Sequence, residues 1–522
     1  MSTAPKSTTG VRASVALLLL TASLVRADLT FEDVSDAAGF MPAMSADIPA
    51  CGIAVADFNR NGWPDIFVTG YFQPNRLYFN NGDGVFSEDA DINEQLAGDR
   101  CSVTAAADFD NDGWSDLYVG CRGDDNHLFQ NVPGAGFVDV TAPELRHNPG
   151  TTQGPRTDAV AWGDIDGNGL LDIFIGVYPQ SSTPDPDDPD SRDRIVLNHG
   201  NGAWQDISSA LPAELLTRTA LAATFTDIDR DGDADLYVVN DKRDGNVLWR
   251  NDGPGCGGWC LHDIAEASGA DRPVFGMGIA IGDYDRDGLD DLFFSSIGEQ
   301  VLLRMTQRDP PRFEEYQDSA GVNYSGVGWG TIFADFDHDG FEDGYLAISM
   351  VPGDSNQRVD RLFHNNGDAT FNDVVAGSGL DMALPSQCAA RLDYDGDGRP
   401  DLVIGHFGSG YRLYRNTTTD TGNHIAFRLA GGAGINRDAA GARVEIETDD
   451  GQQWRELRLG ASRGSSHQPL LHFGLGEAES AEVTVHWPGG GVQEFGSRAA
   501  GQTHVLVNDP GVMFADSFES AP

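Results

Sequence analysis

The chain has 522 residues, enough for about three ordinary domains or for one large repeat array with a smaller partner. Its 81 Asp and Glu against 34 Lys and Arg give a formal charge of −47, which excludes a nucleic-acid binder relying on a basic face and disfavours an anionic membrane surface. A hydrophobic content of 40% with 27 Phe argues against general disorder, and 64 Gly without a collagen period indicate many turns between many short strands.

Residues 1–27 read as a secretory signal peptide. Lys6 and Arg12 make a basic start, Ala13 to Val25 is apolar, and Val25-Arg26-Ala27 offers a small-residue cleavage site before Asp28. The apolar run is too short to span a bilayer, which takes about 20 residues, and no later stretch approaches that length. The mature chain is therefore expected to be secreted, extracellular or periplasmic, with no membrane insertion. Export permits disulfides, and all six Cys follow the signal. Cys256 and Cys260 are expected to close on each other, because no second pair stands at zinc-ligand spacing.

From residue 57 onward one loop recurs. Copies of D-x-[DN]-x-[DN]-G-x-x-D begin at Asp57, Asp108, Asp164, Asp227, Asp283, Asp335 and Asp393, at intervals of 51 to 63 residues. Chance predicts about 0.07 matches in such a chain, against seven seen. Ca2+ takes six to eight oxygens, and alternating carboxylates in a tight loop supply them. The side chains at positions one, three, five and nine are the candidate ligands. They are Asp57, Asn59, Asn61 and Asp65; Asp108, Asp110, Asp112 and Asp116; Asp164, Asp166, Asn168 and Asp172; Asp227, Asp229, Asp231 and Asp235; Asp283, Asp285, Asp287 and Asp291; Asp335, Asp337, Asp339 and Asp343; and Asp393, Asp395, Asp397 and Asp401. Up to seven Ca2+ are expected, with the first site weakest because only Asp57 and Asp65 are charged there. An EF-hand is excluded. Its bidentate Glu at position twelve is replaced by Val68, Val119, Ile175, Val238, Phe294, Leu346 and Ile404.

Short apolar segments flank each loop, as in Ile53-Ala54-Val55-Ala56 and Ile66-Phe67-Val68, so each loop joins two strands. A third strand reads Arg76-Leu77-Tyr78-Phe79-Asn80, echoed by Arg361 to Asn365. A fourth reads Phe371-Asn372-Asp373-Val374, echoed by Phe137 to Val140. Four strands per unit, repeated seven times, predict a β-propeller. The chain opens on a fourth-strand sequence, Phe31-Glu32-Asp33-Val34, and the seventh unit lacks one. Phe31 to Val34 is thus expected to complete unit seven and close the ring. Cys51 and Cys388 precede their loops at matching positions in units one and seven, which predicts a bond across the closure, with Cys51–Cys101 as the alternative. Cys101 and Cys121 lie on strands either side of one loop and are expected to face each other.

Residues 28–420 resemble FG-GAP/VCBS propeller repeats, the kind found in integrin α-subunit heads. The resemblance implies Ca2+ in the loops, in agreement with the residue-level reading. Residues 421–509 alternate apolar and polar positions in runs such as Ala442 to Ile446 and Glu482 to Trp487, with turns at Asp449-Asp450-Gly451 and Pro488-Gly489-Gly490. They predict a small β-sandwich-like domain. Asn436 to Val444, Leu471 to Gly476 and His486 to Gly490 resemble the ASPIC/UnbV domain. Residues 510–522 read as a C-terminal tail.

The fold class is therefore all-β: a seven-bladed β-propeller with calcium loops and a small second domain. His467, His472 and His486 read as surface or turn histidines. Arg122-Gly123-Asp124 reads as an ordinary loop in a Gly- and Asp-rich chain, and the acidic run Asp185 to Asp190 as a solvated insert. The expected function is a secreted calcium-binding interaction or adhesion module for a protein or glycan partner, without catalysis. The alternative is a polysaccharide hydrolase or lyase with the propeller as scaffold.

Overall fold

The structure is a computed structural model that describes residue 1 and residues 28–43, 51–71, 73–89, 91–147, 156–179, 181, 183–185, 187–255, 258–349, 359–419 and 421–508. The signal-peptide segment, the C-terminal tail and Cys256 of the expected Cys256–Cys260 bond lie outside the described residues.

The chain is all-β, and strand pairing gives seven antiparallel four-stranded units. Unit one is Ile53–Ala56, Asp65–Val68, Arg76–Asn80 and Phe86–Glu88. Unit two begins with Cys101–Ala107 and Asp116–Cys121, unit three with Thr157–Gly163, unit four with Ala220–Thr226, unit five with Gly276–Gly282 and unit six with Gly326–Ala334. Unit seven is Ser386–Leu392, Asp401–His406 and Gly410–Asn416, completed by Phe31–Asp33 in the register Phe31↔Asn416 and Asp33↔Tyr414.

The apolar core lies between units rather than within them. Ile53, Val55 and Ile66 of unit one pack on Ala390, Val403 and Leu413 of unit seven, and six further buried clusters join each unit to the next. Both faces of the first two strands are covered in this way. That is why they read as continuous apolar runs instead of alternating ones. The seam between units one and seven is also covalent: Cys51 is bonded to Cys388, with Cα atoms 5.8 Å apart. Cys101 is bonded to its register partner Cys121. The alternative Cys51–Cys101 pairing does not occur.

The C-terminal part has two sheets. Asn423–Ala430 is flanked by Leu471–Gly476 and Thr503–Val507. The second sheet runs Gly451–Glu456, Arg443–Thr448, Ser480–Trp487 and Gly491–Ala499. Phe427, Val444, Ile446, Phe473, Val485 and Leu506 form the core between them. Residues 456–468 leave this core and run along the innermost strand of every unit. Trp162 N donates to the Leu459 carbonyl at 2.8 Å, Ser462 exchanges backbone bonds with Ile279, and Thr104 N donates to the Gly464 carbonyl at 3.2 Å. Ser465–Ser466 pairs in parallel with Ile53–Ala54, and Gln468 N donates to the Arg391 carbonyl at 3.1 Å. Arg458 reaches Thr226 Oγ1, and Arg463 stacks over Trp329. The segment thus satisfies sheet edges that would otherwise face the centre of the array unpaired.

Candidate metal centres

All seven acidic loops adopt one geometry, and the sequence dictates it. The position-one carboxylate accepts the backbone N–H of the Gly at position six. Asp57 takes Gly62 at 2.8 Å, and the corresponding bonds from Gly113, Gly169, Gly232, Gly288, Gly340 and Gly398 span 2.8 to 3.1 Å. These glycines lie at φ between 84° and 98°, a left-handed reversal that a side chain would strain. The position-five side chain accepts the N–H two residues on, as in Asn61 with Trp63 at 2.9 Å and Asp339 with Phe341 at 2.8 Å.

The position-nine Asp binds the loop to the strands. Asp65 Oδ2 accepts Phe58 N at 2.9 Å, and its Oδ1 accepts Asn80 N of the third strand at 2.8 Å. Asp172, Asp343 and Asp401 repeat both bonds.

These bonds leave concentrated, poorly compensated negative charge. Carboxylate oxygens of Asp108, Asp110 and Asp116 lie within 4.8 Å of one another, as do those of Asp164, Asp166 and Asp172, of Asp227, Asp229 and Asp231, and of Asp283, Asp285 and Asp291. One oxygen each of Asp227, Asp229, Asp335, Asp337 and Asp393 is buried without a hydrogen-bond partner. Burial pushes the Asp65 carboxyl up to about 8 and Asp116 up to about 9, with neighbouring loop carboxylates adding to the effect. Burial likewise raises Asp172, Asp235, Asp291, Asp343 and Asp401 well above the usual carboxylate range. Orphaned, buried, mutually repelling oxygens on a hairpin fit a hard divalent cation such as Ca2+, which takes oxygen donors and removes the repulsion.

Sequence reading missed the residue that lies across from position three. It is the one just before the third-strand Asn, or before Met305 in unit five. Gln130 donates to Asp110, Arg304 pairs with Asp285 and with Asp287, His364 Nε2 lies 3.0 Å from Asp337 Oδ2, and Arg415 Nε lies 2.7 Å from Asp395 Oδ2. In units one and three the same place holds Phe79 and Leu197. Aligning the third strands of the repeat against the loops would have flagged it.

The C-terminal part rests on these loops. Asp438 Oδ2 accepts Asp108 N at 2.7 Å, Arg428 donates to the Gly62 carbonyl at 2.6 Å, and Gly489 N donates to the Gly232 carbonyl at 3.0 Å. Glu456 accepts Asp227 N, and Gln468 Oε1 accepts Asp393 N at 2.8 Å.

Other sequence features are also placed. Arg122 of Arg122-Gly123-Asp124 is 3% exposed, its Nε donating to Asp158 at 2.7 Å, while Asp124 pairs with Arg100. That tripeptide cannot present its cation to a partner. The expectation of surface histidines fails for His472, which the C-terminal sheet buries against the array. His467 is partly buried, its Nδ1 accepting Arg391 N, and only His486 fits a surface role, facing Glu445 at 3.2 Å. His472 pairs with neither of them. It packs against His338 and His424.

Four-stranded units carrying these loops, followed by the two-sheet part, define a propeller protein of the FG-GAP repeat class. The FG-GAP-like repeat model matches residues 57–119, 108–175, 187–238 and 227–294, and the ASPIC and UnbV model matches residues 432–512. The chain belongs to the FG-GAP-repeat proteins that carry a C-terminal ASPIC and UnbV domain. It is similar to cartilage acidic protein 1 of Mus musculus, 25% identical over 472 residues covering 84% of this chain and 70% of that protein. Its counterpart from Homo sapiens is 25% identical over 471 residues, 84% and 69% of the two chains. Among solved structures, a lectin of Agrocybe aegerita recognising terminal N-acetylglucosamine covers 72% of this chain and 88% of its own, with 16% identity and a TM-score of 0.42. The Dos1 propeller covers 68% and 75%, with 8% identity and a TM-score of 0.40.

Proposed function

We propose that the protein is a secreted, calcium-loaded interaction module in which residues 28–420 form a closed seven-bladed ring and residues 421–509 a domain docked on its loop face. Ca2+ would be held by the carboxylates and amides at positions one, three, five and nine of each loop, where it supplies charge neutralisation and cross-links the two strands. The observation that carries this reading is the set of buried loop oxygens without partners, repeated in unit after unit.

A protein or glycan partner would meet the face opposite the loops or the outer rim, because residues 456–468 and the C-terminal sheets occupy the centre and the loop face. No helix among the described residues is long and apolar enough to cross a membrane.

The test is equilibrium dialysis with 45Ca2+, alongside binding to glycan and protein arrays in Ca2+ and in EDTA. About seven bound ions, and partner signal that disappears on chelation, support the proposal; two or fewer ions overturn it. Turnover of a polysaccharide in the same preparation would replace the interaction reading with the enzymatic one.

A further inference from the structure

Three histidines far apart in sequence meet where the C-terminal part rests on the sixth loop. His338 is position four of the Asp335 loop. At φ 62° it takes the left-handed conformation shared by Arg60, Asn111, Arg230 and Arg286 at the same place in other loops. His424 and His472 lie on the paired strands Asn423–Ala430 and Leu471–Gly476. The register His424↔Gly474 and Ala426↔His472 sets both rings on one face as diagonal neighbours. The ring centroids of His338 are 4.9 Å from those of both His424 and His472, and the latter two are 5.8 Å apart.

Two details distinguish this cluster from ordinary ring packing. His338 and His472 are 2% and 7% exposed, and the Nε2 atom of each is buried without a hydrogen-bond partner. Leaving such a nitrogen unpaired is costly, and two of the three clustered rings carry one. His338 Nδ1 lies 3.1 Å from the Gly422 carbonyl, which can only accept, so the proton sits on Nδ1 and the lone pair on Nε2. A backbone carbonyl fixing the tautomer of an imidazole is the usual support of a metal-bound histidine.

The ring spacing also fits. A metal–nitrogen bond of about 2.0–2.1 Å places each ring centroid about 3.2 Å from the ion, and tetrahedral angles then set centroids about 5 Å apart. We propose that His338, His424 and His472 form a tri-imidazole site for a divalent transition metal of the zinc type, clamping the sixth loop to both strands of the C-terminal sheet. Three neutral nitrogens suit Zn2+, Ni2+ or Cu2+ and not Ca2+, so this site is chemically separate from the acidic loops. His424 is the half-buried member.

The test uses the full chain held in saturating Ca2+, which keeps the carboxylate loops from taking the second metal. Co2+ is the probe. One tight equivalent with the intense visible absorption of tetrahedral nitrogen-ligated Co2+, displaced by Zn2+, is the expected result. Added Zn2+ should also raise the melting temperature by several degrees. His424→Gln, at the half-buried position, and His472→Gln should each weaken Co2+ binding at least tenfold and abolish the band while leaving the Ca2+ count unchanged. A wild-type protein showing only weak octahedral Co2+ absorption overturns the site, as does a His424→Gln protein that binds Co2+ like the wild type. The Ca2+ count is read independently, so failure here is distinguishable from failure of the calcium reading.

Discussion

Asn80 and Tyr394 join the two ends of the array: the Asn80 side-chain amide donates to the Tyr394 carbonyl at 2.7 Å, from the third strand of unit one to the loop of unit seven. The bond recurs around the ring, from Asn131 to Phe58, Asn198 to Phe109, Asn251 to Ile165, Asn365 to Tyr284 and Asn416 to Phe336, at 2.7 to 2.9 Å. Unit five has Met305 in that position and so no amide to offer Ile228. Each Asn also donates its own N–H to the position-nine Asp, so one residue ties its own loop to its neighbour's. Asn80→Ala should cost about 1–3 kcal/mol, because a buried carbonyl loses its donor. Asn198→Ala should cost a similar amount. Urea denaturation in Ca2+ measures both, and a cost near zero would mean that the Asn is not what satisfies the carbonyl.

The two described disulfides should contribute unequally. Cys51–Cys388 spans 337 residues of sequence and Cys101–Cys121 only 20. Chain-entropy loss in the unfolded state grows with the logarithm of loop length, so removing the seam bond should cost about 2 kcal/mol more. Paired Cys→Ser substitutions followed by denaturant titration test the order; equal costs would show that the seam is held by packing alone.

Arg415 opposes the proposed ion in loop seven. Its guanidinium contacts Asp395 and Asp397. In unit three the equivalent residue is Leu197. Arg415→Leu should therefore tighten Ca2+ at this loop by about tenfold, or ~1.4 kcal/mol, by removing a competing cation. Calorimetric titration would resolve one strengthened site, and an unchanged isotherm would place the guanidinium outside the ion's field.

Between units six and seven a buried network answers pH. Ser386 Oγ donates to Asp360 at 2.7 Å and lies 3.0 Å from His406 Nδ1. Tyr345 OH donates to Asp360 at 2.6 Å, and His406 Nε2 lies 2.9 Å from Tyr414 OH. Burial raises Asp360 to about 7, and burial, then Arg412, lowers His406 to about 3. The raised carboxyl favours folding most below about pH 4, and that stability is lost as pH rises toward 7. The depressed imidazole favours folding above about pH 6.5, and that stability is lost as pH falls toward 3. Near pH 5 the pair holds one proton in either state, so the two slopes cancel. His406→Asn should leave a melting temperature that falls from about pH 4.5 to 7. Asp360→Asn should leave one that falls on acidification below about 6.5. Parallel profiles for both variants in saturating Ca2+ would contradict this linkage.

Gly460 marks the tightest passage of the central segment. It sits at φ 121°, and a Cβ there would come within 2.9 Å of the Ala161 Cα and the Val160 carbonyl. Gly460→Val should expel the segment, lower the melting temperature by more than about 5 °C and expose residues 456–468 to protease. A protease pattern like that of the wild type would show that the segment is held elsewhere.

Much of this was legible in the sequence, because it depends on local chemistry repeated often enough to read. The D-x-[DN]-x-[DN]-G-x-x-D spacing determines its own hydrogen bonds, Gly62 and its equivalents set the reversal, and the apolar runs beside each loop announce strands covered on both faces. Even ring closure could be read, since a lone fourth strand at Phe31 and a missing one after Asn416 are complementary, and Cys51 and Cys388 stand in matching register. Tertiary structure alone decided where unrelated stretches meet. Nothing in residues 456–468 announces that they satisfy inner sheet edges spread over seven units, because those partners lie between 75 and 412 residues away. The same holds for His338, His424 and His472, whose approach depends on the C-terminal sheets settling onto the sixth loop. Arg122 read as part of an ordinary loop, and only the fold shows that its guanidinium is buried against Asp158. Local patterns fix a loop's conformation through bonds a few residues long, whereas contacts between distant segments depend on how whole sheets pack, and single-residue spacing carries no record of that.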